Sequence, residues 1–143
     1  MGQPGVDFPG FGCGLVIVRD GKILLYRRLK APEAGYWNIV GGKVDHMERS
    51  EAAARREAEE ESGLKIRSSE FLCLSEQVIE ADRQHWISMI YVTRDFSGEP
   101  QLVEPDKLSE FGWFSLDALP QPLSRFTADA AEALRKQEHG VAA

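Results

Sequence analysis

Glu57, Glu60 and Glu61 stand at positions i, i+3 and i+4, so on a helix their carboxylates leave one side. At ~100° of rotation per residue they occupy an arc of roughly 100°. Like charges at this spacing repel by about 0.2–0.5 kcal/mol per pair when exposed, and a divalent cation is the simplest group that offsets the cost. Oxygen donors with no thiolate beside them favour Mg2+ or Mn2+, ions often met together with substrate phosphates. A second reading is a solvated acidic face neutralised by Arg49, Arg55 and Arg56. Charge pattern alone does not separate the two.

The longer string does. From Gly42 the chain reads a glycine, five residues, Glu48, seven residues, then Arg56-Glu57-Ala58-Glu59-Glu60-Glu61-Ser62-Gly63-Leu64. This closely resembles the Nudix box, with every fixed glycine, glutamate and arginine of that pattern present. Ala58 stands where the family usually carries a larger aliphatic residue, and Val40 precedes Gly41-Gly42 where many members have proline. Neither change removes an oxygen ligand. The resemblance implies an α-β-α sandwich with a mixed central sheet, the box forming a loop–helix–loop unit. It also implies Mg2+ as cofactor, with Mn2+ as the substitute. By the same resemblance Glu57, Glu60 and Glu61 are the metal ligands and catalytic carboxylates, with Glu61 contacting or orienting the attacking water. Gly42, or Gly41, lends a backbone carbonyl to the metal. Glu48 and Arg56 match the ion pair that braces loop against helix. Glu104, in LVEPDKL, is the expected further carboxylate, with Glu110 as its rival, and Glu59 is expected to face solvent.

Substrate contacts are less legible. Arg27, with Arg28 and Lys30, forms a basic patch that is either a solvated strand end or a contact for phosphates. His85, beside Trp86, is either a hydrogen-bonded histidine or a group for base recognition or proton transfer. Trp37 and Tyr36 are candidates for stacking or for the core. Phe111-Gly112-Trp113 resembles the aromatic segment near the nucleobase pocket of small nucleoside-triphosphate members, and Trp113 is the candidate carried forward. The box together with the segment Trp113–Pro120 points to hydrolysis of a nucleoside triphosphate to the monophosphate and pyrophosphate. ADP-ribose or a nucleotide sugar is the alternative substrate, and a nucleotide-binding module without turnover is the alternative class. A diphosphate bridge resists attack because its oxygens spread negative charge, so catalysis there is mainly charge neutralisation and activation of water.

The elements must bring these groups together. A chain of 143 residues with 43% apolar content is expected to form one domain with a real core. Its net charge of −6 argues against a non-specific nucleic-acid partner but not against a small phosphorylated substrate. Cys13 and Cys73 are expected as reduced thiols. Neither a signal peptide nor a membrane span is apparent, so a cytoplasmic protein is expected. The family resemblance is compatible with a homodimer. Residues 1–10 read as a flexible lead-in, 11–138 as the domain and 139–143 as a frayed end. Strands are expected at Phe11–Arg19 and Lys22–Arg27, joined by an Asp20-Gly21 hairpin turn, and at Trp37–Val40, delivering Gly41-Gly42. Ser50 is the expected N-cap of a helix Glu51–Ser62 that Gly63 ends. Further strands are expected at Leu64–Ile66 and Glu70–Glu80, with Phe71, Cys73 and Ser75 facing one way and Leu72 and Leu74 the other. Gln84–Phe96 reads as a strand buried on both faces, followed by a strand Phe111–Ser115 and one helical turn at Leu116–Leu119. A closing helix is expected at about Leu123–Gln137. Strands with one central and one closing helix suggest an α/β sandwich.

Overall fold

The computed structural model describes residues 2–140. Seven strands, β1 Gly10–Arg19, β2 Lys22–Arg28, β3 Trp37–Asn38, β4 Val40–Lys43, β5 Lys65–Ile79, β6 Gln84–Ser97 and β7 Leu108–Ser115, form one mixed sheet. Helices α1, Ser50–Ser62, and α2, Arg125–Gly140, cover its two faces. β1 is the axis. It runs antiparallel to β2 and β4 and parallel to β6, and β5 closes the β6 edge.

Alternation along β1 decides which helix each residue serves. Cys13, Leu15 and Ile17 join Leu24, Tyr26 and Val40 beneath α1. Val16 and Val18 join Ile23, Leu25, Ile90 and Val92 beneath α2. α1 meets its face through Ala53, Ala54 and Ala58, all fully buried, so backbone approaches sheet closely and Ala58 replaces the bulk common in the family. Gly63, at φ 76°, ends the helix and donates its N–H to the Glu59 carbonyl.

Several elements depart from expectation for physical reasons. Ser50 is the first residue of α1 rather than its cap. Arg49 occupies the cap position without a side-chain bond, because the Ser50 hydroxyl pairs with the Tyr91 hydroxyl at 2.6 Å. β5 is one strand, not two, and register shifts interrupt it, including one between Phe71 and Cys73. That shift lets Leu72 and Cys73 both pack under α2 while Phe71 and Leu74 stay exposed. β6 is only half-buried through its first four residues, and Arg94 and Asp95 are exposed. In place of a helical turn at Leu116–Leu119, a single turn at Leu116 and Asp117 is closed by the Ala118 N–H on the Ser115 carbonyl at 3.1 Å. α2 starts two residues later than expected, after Ser124, whose hydroxyl accepts the Thr127 N–H at 3.3 Å.

The N-terminal segment read as a flexible lead-in has defined partners: Gln3 N–H donates to Asp7 Oδ2 at 2.7 Å, and the Gly5 carbonyl accepts the His85 N–H at 2.9 Å. Of the stretch read as a frayed end, residues 139–140 close α2 and 141–143 lie outside the described residues. Cys13 and Cys73 are free thiols. Among the described residues no helix is long and apolar enough to cross a membrane.

The alanine contact under α1 leaves no room for growth. Ala58→Leu should therefore lower the unfolding free energy by about 1–3 kcal/mol through overpacking. The measurement is a urea titration, in which the midpoint falls while the m-value holds.

Candidate active site

β4 lies under α1, with Gly41 and Gly42 paired to Gly14 and Cys13 of β1. A side chain at Gly41 would collide with the Cys13 carbonyl, and one at Gly42 with the Glu57 carboxylate. Glycine is required at both positions for close approach rather than for a special φ. Glu61 Oε1 accepts the Gly41 N–H at 2.9 Å. Two carboxylates of α1 thus bear directly on the glycine backbone.

Arg56 braces this arrangement. Its Nε and Nη2 bind the two oxygens of Glu48 at 2.8 and 3.0 Å, and Nη2 also reaches the Lys43 carbonyl at 3.3 Å. This bidentate bond, with the Asp45 N–H, holds the Glu48 carboxyl down at about 2. Nη1 of Arg56 lies 3.2 Å from Glu60 and 3.5 Å from Glu57. The box glutamates are therefore placed differently from one another. Glu60 is exposed and ion-paired, whereas Glu57 and Glu61 are half-buried. Burial pushes the Glu57 carboxyl above its ordinary value, and the charges of Glu60 and Glu104 push the same way. Burial pushes Glu61 up to about 8, with Glu57 and Glu104 adding to it against the Gly41 hydrogen bond. Glu104 carries a cation, Lys107, 3.6 Å away. Glu110, its rival, instead pairs with Arg27 at 3.4 Å. Glu59 is not turned to solvent: its carboxylate accepts the Ile66 N–H at 2.9 Å, tying α1 to β5.

A cavity opens beside these glycines on the α2 face of the sheet. Gly12, Gln77 and Ser88 form its floor, Trp86 and Phe126 stand at its walls, and Arg28, Asn38 and Gly41–Lys43 border it. The floor exists because β1 carries no side chains there: a Cβ at Gly12 would come to 2.6 Å from Ser88 Oγ. Its polar groups have set directions. Ser75 donates to Asp129 at 2.6 Å, Gln77 Nε2 donates to Ser75 Oγ at 2.8 Å, and Ser88 Oγ donates to Gln77 Oε1 at 3.1 Å. The only proton of Ser88 is committed, so its lone pairs are what it offers to the cavity. Asn38 Oδ1 accepts from the Ser124 and Thr127 hydroxyls at 2.6 and 2.7 Å, which leaves its NH2 group a donor without a partner among the described residues. Arg28, bound through Nε to the Pro32 carbonyl at 2.7 Å, brings positive charge to the border.

The four substrate contacts read from the sequence lie elsewhere. Trp37 is 8% exposed and packs edge-on against Phe114 in the core. Arg27 holds the Gly35 carbonyl at 2.9 Å and Glu110. His85 bonds Glu76 at 2.7 Å and does not border the cavity. Trp113 stacks on Phe96 and lies under the Arg19 guanidinium, 4.4 Å away. For three of the four, the next residue along the strand borders the cavity: Arg28, Asn38 and Trp86. The alternating pattern of β6, with Trp86, Ser88 and Ile90 on one face, is the signal that puts Trp86 rather than His85 on the face of this cavity.

Sheet, box and glycine-backed carboxylates together define a Nudix-type hydrolase fold. Residues 9–137 match the NUDIX domain family model, and the chain belongs to the Nudix hydrolase family. A MutT NUDIX hydrolase from Burkholderia pseudomallei superposes with a TM-score of 0.86 at 48% identity, over 90% of this chain and 99% of that one. The chain is 32% identical to an oxidized purine nucleoside triphosphate hydrolase of Danio rerio over 74% of its own length. It is 33% identical to an ADP-ribose pyrophosphatase of Methanocaldococcus jannaschii over 79% of its length. Both matches span 66% of the relative, just under two thirds.

A raised carboxyl has a stability signature. Glu61 titrates near 4.5 when unfolded and near 8 when folded, so between these values the native state holds a proton that the unfolded state has released. Stability of the metal-free protein should fall as pH rises through that window, by on the order of a few kcal/mol. Glu61→Gln should remove most of this slope, leaving the part that the raised Glu57 carboxyl contributes. Urea unfolding in chelator at several pH values between about 5 and 9 measures it.

Proposed function

We propose that this protein is a divalent-cation-dependent pyrophosphohydrolase that cleaves a nucleoside triphosphate to the monophosphate and pyrophosphate. The observation that carries the reading is continuity. A cavity with two aromatic walls and a polar floor borders Gly41–Lys43 directly, and Glu57 and Glu61 bear on the same glycines. A planar base fits the aromatic end, with its polar edge meeting the Asn38 amide and the Ser88 lone pairs. Phosphates of such a ligand meet Arg28, Lys43 and the carboxylate end.

The charge of Glu104 opposes ionisation of Glu57, and the charges of Glu57 and Glu104 oppose that of Glu61; such a gathering of hard-oxygen donors suits Mg2+ or Mn2+. Among the described residues no three acidic, histidine or cysteine side chains already close on one point, so the fit is one of donor chemistry. Glu57 and Glu61 would hold the ion, with Glu60, Glu104 and the Gly42 carbonyl as further donors. Bound there it neutralises phosphoryl charge and makes water more acidic. The residues themselves then divide the work. Glu61 orients the attacking water and takes its proton. Arg56 keeps the loop and helix in register through Glu48. Arg28 and Lys43 hold phosphate charge, and Trp86 and Phe126 exclude water from the base.

Likeness to the MutT-type structure and to the purine nucleoside triphosphate hydrolase supports the triphosphate reading. The 33% identity to an ADP-ribose pyrophosphatase favours the second, in which ADP-ribose or a nucleotide sugar is cut to a nucleoside monophosphate and a sugar phosphate. Product analysis with Mg2+ across nucleoside triphosphates, ADP-ribose and nucleotide sugars separates them. Monophosphate plus pyrophosphate is the expected result, preferential cleavage of ADP-ribose installs the second reading, and binding without products leaves a nucleotide-binding module. In the same assay Glu61→Gln should lower kcat by about 1,000-fold or more in a protein that remains folded by circular dichroism. Chelation of the cation should abolish wild-type turnover.

A further inference from the structure

Trp86 stands at the cavity with an unusual backing. The indole presses on two glycines: a Cβ at Gly5 would overlap the ring, and one at Gly10 would come to 2.5 Å from Cζ3. Gly5 holds φ at +85°, a conformation glycine reaches at little cost. It lies in a segment tied down at several points. Gly5 N–H donates to the Phe8 carbonyl at 2.6 Å, Gln3 N–H to Asp7 Oδ2 at 2.7 Å, and His85 N–H to the Gly5 carbonyl at 2.9 Å. Trp86 Nε1 donates to Gln84 Oε1 at 2.8 Å, which sets the roll of the ring. The family match begins at residue 9, so Gly5 and its segment precede the matched residues while Gly10 lies within them.

We propose that Gln3–Phe8 is a positioning element for the ligand. By setting glycine backbone against Trp86, it holds the indole as a fixed wall for the planar base. The inference rests on the cavity being the base site of a nucleoside triphosphate hydrolase. A wall held in place before the ligand arrives loses little side-chain freedom on binding, and stacking on an aromatic ring tolerates any base because every base has a π-face. The segment should therefore act on affinity across bases and not on the bond-breaking step.

The test uses the whole chain and steady-state kinetics on nucleoside triphosphates with Mg2+. Gly5→Val should raise KM roughly 5- to 50-fold and leave kcat within about twofold. Trp86→Ala should behave the same way, and the double variant should be no worse than Trp86→Ala alone, since both changes remove one wall. Asp7→Ala, which loosens the turn without adding bulk, should shift KM in the same direction by less. The idea is overturned by a KM that Gly5→Val and Asp7→Ala leave unchanged, or by effects that add to Trp86→Ala. It is equally overturned by a loss confined to kcat and melting temperature, the pattern of a purely structural role. A wild type that turns over no triphosphate removes the functional reading and this inference together. Normal wild-type turnover beside an unaffected Gly5→Val defeats the inference alone.

Discussion

Two missing side chains hold the site together. β4 lies so near β1 and α1 that the Cys13 carbonyl and the Glu57 carboxylate occupy the space a Cβ would take at Gly41 and Gly42. The alanine face of α1 serves the same end, since Ala53, Ala54 and Ala58 let the helix backbone sink onto the sheet. Removing bulk from both partners forfeits apolar area, and the contact compensates with polar bonds: Glu61 to the Gly41 N–H, and Arg56 to the Lys43 carbonyl. Acidic groups are thereby carried into a half-buried position that their own solvation disfavours.

One guanidinium balances much of that charge. Arg56 engages Glu48 with two hydrogen bonds and lies within 3.5 Å of Glu57 and 3.2 Å of Glu60. Glu61 forms no ion pair among the described residues, feels Arg28 only at longer range, and is the carboxyl that burial shifts to about 8. The helix and the loop before it therefore separate their acids by role. Glu48 belongs to the brace, Glu60 to an exposed pair, Glu59 to the anchoring of β5, and Glu57 and Glu61 to the glycines.

The box was the most legible part of the chain, because glycines, arginine and glutamates at fixed spacing are tied to a particular local geometry. The two-helix, mixed-sheet architecture followed from the same string and from the strand patterns. Which strand residues border the cavity was not legible from residue type. Trp37, Arg27 and His85 are strand residues whose neighbours Asn38, Arg28 and Trp86 border the cavity, and in a strand a shift of one residue exchanges the two faces. Register shifts in β5 had the same effect on Leu72 and Cys73. Ser50 and Glu59 were misread for another reason. Each looked like a local helix feature, yet its bond leaves the helix, for Tyr91 of β6 and for Ile66 of β5. Gln77, Ser88 and Asn38 carry no motif, and only tertiary pairing shows that hydroxyls and a carboxylate orient them.

The chain of bonds from Asp129 through Ser75 and Gln77 to Ser88 runs from a helix surface to the cavity floor. Each link has one proton direction: the Asp129 carboxylate can only accept from Ser75, and Gln77 Nε2, which also donates to the Ser75 carbonyl at 2.9 Å, leaves Oε1 turned to Ser88. What the floor presents is thus pinned at two points, a carboxylate on α2 and a carbonyl of β5, so a change of charge on α2 would loosen the Ser75 hydroxyl while the strand backbone still keeps the Ser88 lone pairs turned to the cavity.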